Sequence, residues 1–214
     1  MTGQEIITRF ELQVSDMTEL SSVEELAIAN RVYRKICTNR PWEFLKTAAT
    51  GSALLQDATG YYITMPADFA FFSLNYNSTD NSIGDNGTSQ PARIFIGANY
   101  QPYTIVNFAD RTQYRNHSNI AYLDFANSKI RLLGTPPDTS YYGFDYIKFP
   151  AALTTATSPV FPEAYHEAIV FGMAVEDDIL QKSPKASSYA PENQAKFDSM
   201  IADLAYWNSQ LIMN

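Results

Sequence analysis

Two histidines, one cysteine and two short acidic or amide-rich runs are the residues of this chain whose types could do chemistry. His117 and His166 stand about fifty residues apart with no Cys or His close to either. A zinc site needs several such ligands at short spacing, and a general base needs a partner to orient it, so each histidine reads as a surface or packed side chain. Cys37, the single cysteine, excludes an intramolecular disulfide and a multi-cysteine zinc site. It falls on the apolar side of a predicted helix and reads as a small core residue. Glu176, Asp177 and Asp178 are adjacent, and adjacent residues on a helix point in different directions, so a cation there would need further ligands. A solvated face is the simpler reading. The stretch from Asp80 to Asn86 is rich in side-chain oxygen, yet it lacks the order and the closing glutamate of an EF-hand loop. There is no GxSxG, no P-loop and no GxGxxG. These residues indicate no catalytic, metal or cofactor site, and the chain is expected not to be an enzyme.

Composition narrows the class further. The 214 residues are 45% hydrophobic, 18% charged and 14% aromatic, which suits a folded chain with a substantial core. Lys and Arg number 15 against 23 Asp and Glu, a net charge of −8 that argues against a phosphate-gripping face. One basic cluster, Arg31, Arg34, Lys35 and Arg40, is the local exception. No run of eighteen apolar residues occurs, so no membrane span is expected. The N-terminus MTGQEIITRFELQV is amphipathic and lacks the basic-then-apolar order of a signal peptide, so the protein is expected to stay inside a cell or in a particle assembled there.

The elements that position these residues are read from spacing. Ile6, Ile7, Phe10 and Val14 predict a helix over Gly3–Val14. Ser22 and Glu25 form a capping-box pair, and Leu26, Ala29, Tyr33 and Ile36 then share a face through to Cys37. The chain turns at Pro41, because a residue before proline leaves the helical region, and the corner delivers Trp42, Phe44 and Leu45 together. These three are expected to plug the joint between the N-terminal helical part and the β-rich body after it. Strands are predicted over Phe44–Thr50, Tyr61–Met65, Phe69–Tyr76, Arg93–Ile96, Tyr103–Val106, Ile120–Phe125, Lys129–Leu133 and Ser140–Phe149, with a hairpin bend at Asn127-Ser128 and a helical turn in FADRTQYRN. Residues 77–90 have almost no apolar content and read as an exposed loop, with Asn77, Asp80, Asp85 and Asn86 as a partner-contact segment. Pro162 is expected at the first position of a long helix whose Gly172 admits a neighbouring backbone. A last helix presents Phe197, Met200, Ile201, Leu204, Trp207 and Leu211 on one face.

The predicted fold class is α+β: a discontinuous helical bundle from both termini beside an inserted antiparallel β body, sandwich- or barrel-like. The expected divisions are 1–45, 46–150 and 151–214. NRPWEFL closing two helices, YYITMPADF opening the β body, IRLLGTPPD leading into YYGFDYIKFP, and VFPEAYHEAIVFGMA opening the closing helices together resemble the head-to-tail adaptor, or connector, proteins of tailed bacteriophages. The resemblance spans about Glu25 to Phe197. It implies a ring of copies beneath the portal protein, tail or nozzle proteins below, DNA passing without specific binding, a place in the virion neck, and no catalytic residue. Tyrosines near Tyr100–Tyr103 could instead stack on sugar rings, so a phage-tail carbohydrate- or receptor-binding β-sandwich is the alternative.

Overall fold

The computed structural model describes residues 1–14, 20–72, 93–181 and 190–213. The loop 77–90, with Asn77, Asp80, Asp85 and Asn86, lies outside the described residues. The fold is α+β, with helices at both ends of the chain and a curled mixed sheet between them in sequence. Two compact units result: Met1–Leu45 with Phe149–Asn214, and Lys46–Lys148.

In the helical unit, α1 spans Gly3–Gln13 and α2 spans Ser22–Thr38. Thr2 and Glu5 cap α1 reciprocally, and Ser21 with Glu24 do the same for α2. The α2 box therefore sits one residue before the Ser22–Glu25 pair, and Glu25 is instead buried. Ile6, Ile7 and Phe10 of α1 and Ile28, Val32 and Ile36 of α2 form the apolar stripes. The segment after the β body is tied back to both helices: Asn30 donates to the Leu153 carbonyl at 3.0 Å and accepts from its N–H at 2.6 Å. Gly3 donates to the Thr157 carbonyl at 2.9 Å. A Cβ on Gly3 would lie 2.2 Å from the Thr154 oxygen, so this crossing requires glycine. Pro162 precedes a 3-10 turn, Glu163–Tyr165, before α3 runs over Glu167–Gln181, and α4 spans Ala190–Met213. Gly172 meets side chains rather than a backbone: its added Cβ would fall 2.5 Å from Val32 Cγ1 and 3.0 Å from the Phe197 ring. Leu204 is fully buried, whereas Leu211 is largely exposed and leaves the expected stripe.

The β body contains β1 Lys46–Gly51, β2 Leu55–Asp57, β3 Gly60–Thr64, β4 Phe69–Phe72, β5 Arg93–Ile96, β6 Gln101–Val106, β7 Ile120–Asp124, β8 Lys129–Leu133 and β9 Tyr142–Lys148. Their order is β1-β9-β5-β6-β7-β8-β3-β2, with β4 also on β9. The sheet curls into a half-barrel. Ile63, Ile94, Ile96, Ala121, Ile130 and Phe144 fill its apolar core. The β7–β8 hairpin pairs Ile120 with Leu133 and bends at Ser128, whose φ of 52° is left-handed. Among the described residues, one pair departs from the expected antiparallel body. Thr104–Val106 of β6 lies parallel to Ile120–Tyr122 of β7. A parallel neighbour needs a crossover of about a dozen residues, and residues 107–119, containing the 3-10 turn Phe108–Thr112, supply it. The first strand also starts later than predicted, because Glu43–Leu45 forms a 3-10 turn in which Leu45 donates to the Trp42 carbonyl. β3 falls on the strand predicted over Tyr61–Met65, whereas β2 lies where no strand is predicted; Thr59 N–H donates to Asp57 Oδ1 at 2.8 Å and bends the chain between them.

Candidate functional site

Trp42, Phe44 and Leu45 lie in the helical unit, and Trp42 and Leu45 are fully enclosed there. The Trp42 indole N–H donates to the Ile36 carbonyl at 2.7 Å, which satisfies one of the acceptors left open at the end of α2. Its ring stacks on Phe44 at 5.3 Å, and Arg40 lies over it at 5.1 Å. Phe44 also meets Phe161 at 6.1 Å and Trp207 at 6.0 Å, so the corner gathers α2, the segment before α3, and α4. Buried Asn208 fixes the corner's backbone by accepting from Glu43 N–H at 2.9 Å. Sequence spacing gives no sign of Phe161 or Asn208, because both act through contacts more than a hundred residues away.

The residues whose types suggested chemistry are separated. His166 is buried in the helical unit, where burial pushes its pKa down. Its Nε2 faces the Phe161 carbonyl at 2.8 Å, so this nitrogen carries the proton, and Nδ1 accepts from the Met1 ammonium at 2.9 Å. His117 is exposed on the β body, edge-on to Tyr114. Cys37 is buried, and burial pushes its thiol up to about 12, far from the thiolate range a nucleophile needs. Glu176 pairs with Arg31 at 3.0 Å, while Asp177 is buried. Among the described residues, no three His, Cys, Asp or Glu side chains stand where they could hold a metal.

The densest charged cluster belongs to the β body. Arg131 is enclosed on the sheet face opposite Ile130 and Leu132. Its Nε donates to Asp124 at 2.7 Å, and a terminal nitrogen donates to Asp57 at 3.1 Å. Lys129 adds a 2.7 Å bond to Asp57 and lies 3.8 Å over the Tyr62 ring. The hydrogen bonds from Arg131, and for Asp57 from Lys129 as well, hold both carboxyls below the usual range. These bonds join β2 and β7 to β8, and the Tyr62 ring of β3 lies beneath both cations, so the cluster is a staple for that half of the sheet.

What remains are surfaces. Leu12 on α1 is 68% exposed and Tyr206 on α4 is 71% exposed. Gln13, beside Leu12, bonds to Asn193 in the first turn of α4, whereas Tyr206 and Leu211 lie towards that helix's far end. Since α4 advances about 1.5 Å per residue, the two apolar ends are roughly 20–27 Å apart along it. In the β body the two tyrosines considered for sugar stacking divide: Tyr100 is exposed against Tyr141, and Tyr103 is in the core. An open cavity of about 420 Å³ lies where β6 starts and β8 ends. No helix among the described residues is long and apolar enough to cross a membrane.

No curated protein matches the chain. The sequence model of the family described as SU10 adaptor protein matches residues 1–213. That match takes in both helical segments and the whole β body, and the chain therefore belongs to the SU10 adaptor protein family, a structural phage adaptor family.

Proposed function

We propose that the protein is a ring-forming adaptor of the virion neck, joining the portal to tail or nozzle proteins and letting DNA pass without binding it specifically, and that it works without catalysis. The family match over residues 1–213 carries this reading. Two features of the chain support its finer parts. Among the exposed apolar side chains of the helical unit, Leu12 stands at one end of α4, and Tyr206 with Leu211 at the other. Different surfaces at different ends suit a head-to-tail contact, which closes into a ring when its rotation divides a full turn. The excess of 23 Asp and Glu over 15 Lys and Arg suits a wall past which a polyanion must slide. Each neutralised phosphate would add salt-dependent affinity and so drag.

Co-sedimentation with portal particles from the same source, alongside titration with double-stranded DNA at physiological salt, tests the reading. Saturable association with the particles and weak DNA binding are expected. Tight DNA binding together with no association at any protein concentration would overturn it.

A further inference from the structure

We propose that the open cavity at the start of β6 binds a carboxylate, presented by an acidic side chain of a protein partner. Gln101 and Tyr103 are two apart on β6 and face the same side of the sheet, the side that carries the core. Tyr103 is 3% exposed and is one of the residues lining the cavity, and its hydroxyl has no hydrogen-bond partner among the described residues. Buried polar atoms are nearly always paired, so an orphan donor on a residue beside a cavity calls for an acceptor from outside. Burial raises the phenol's pKa, which keeps its proton in place to be donated.

The walls are of the same kind. Gln101 donates to Asn119 Oδ1 at 2.9 Å, and the Asn119 amide N–H groups have no acceptor among the described residues. Arg115 and His117 stand exposed at the rim, and Arg115 has no ion pair among the described residues. No Asp or Glu among the described residues lines the cavity, in a chain where acids outnumber bases 23 to 15. Such an array of donors selects a ligand that accepts. One permanent cation and several neutral donors match a monoanion, and a guanidinium matches the two oxygens of a carboxylate in geometry as well. Phosphate sites, by contrast, gather several cations or a run of backbone N–H groups. The cavity rests on its own geometry. The adaptor reading contributes only that the carboxylate arrives on a protein.

The test is an NMR titration of the full ¹⁵N-labelled chain with four separate probes: acetylated tetraglutamate amide, acetate, inorganic phosphate and a short DNA duplex. The peptide should saturate, with shifts centred on the Gln101 side chain, Asn119 and Gly134, and acetate should move the same signals more weakly. Arg115→Gln should weaken the peptide by about tenfold or more, and Tyr103→Phe, which removes only the orphan hydroxyl, by about three- to tenfold. Any of four results would overturn the proposal: no saturable shifts there with either carboxylate, a stronger response to phosphate or DNA, acetate binding as tightly as the peptide, or Tyr103→Phe binding like the parent. Failure of portal association with peptide binding intact would count against the adaptor reading alone.

Discussion

Trp42 in the helical unit and Arg131 in the β body are both enclosed, but they close their regions by opposite means. Trp42 is an apolar plate whose one polar atom caps α2, and around it Phe44, Phe161 and Trp207 bring together segments far apart in sequence. Arg131 is a charge neutralised by Asp124 and Asp57 from strands of the same sheet. Loss of volume is the danger to the first region. Loss of a counter-charge is the danger to the second.

Substitution at the two positions should separate these modes. Trp42→Ala should cost about 3–5 kcal/mol through lost transfer energy and an unfilled cavity, a large share of the roughly 5–15 kcal/mol that stabilises an ordinary domain, as measured by denaturant unfolding. A parent-like midpoint would break the comparison on its helical side. Arg131→Met should cost less, about 2 kcal/mol, because Met keeps much of the side chain's packing and Asp57, one of the two carboxylates left behind, is partly open to water. Its effect should also shrink in acid, since the carboxylates it leaves behind are then protonated. Gly172→Ala sharpens the packing side: gain in helix propensity offsets part of the clash with Val32 and Phe197, for a net loss of about 1 kcal/mol. A stabilised variant would mean that those side chains yield freely.

The pH response is the smallest effect and the most discriminating. His166 has a depressed pKa, so the folded state favours the neutral ring; that stability is present above the unfolded value of about 6.5 and is lost as pH falls through the lower folded value. Asp57, Asp124 and Asp138 are also depressed, but their contribution is present above about 4 and disappears only as pH falls further. Trp42 and Trp207, the two tryptophans of the chain, both lie in the helical unit, so tryptophan fluorescence tracks that unit by itself. On acidification this signal should change first, and the methyl resonances of Ile130 and Leu132 should hold until below about pH 4. His166→Gln should remove the earlier change. Coincident transitions in the parent would show that the two units fail together.

Periodicity made the two apolar helical stripes, the β7–β8 hairpin and the strands β5 and β6 legible, because each depends on residues close in sequence. The parallel β6–β7 pair was not legible, since its partners are joined by a crossover whose polar residues resemble any loop. Trp42 stood out by type and by its place after Pro41, yet Phe161 and Trp207, which meet its stacking neighbour Phe44, could not be read from spacing as contacts of this corner. Lys129 and Arg131 looked like the polar side of an ordinary strand, and only the return of β2 and β3 alongside β8 supplies Asp57. The surface residues were the least legible, for an exposed Leu12 or Tyr206 differs from a buried one only in what the fold leaves uncovered.

Electron microscopy of the purified chain mixed with portal particles from the same source tests the adaptor assignment most directly. A closed ring of copies seated on one end of each particle is expected, with continuous density between neighbours and an open axial channel. Bare particles at saturating protein, or isolated copies bound at scattered positions without closure, would contradict it.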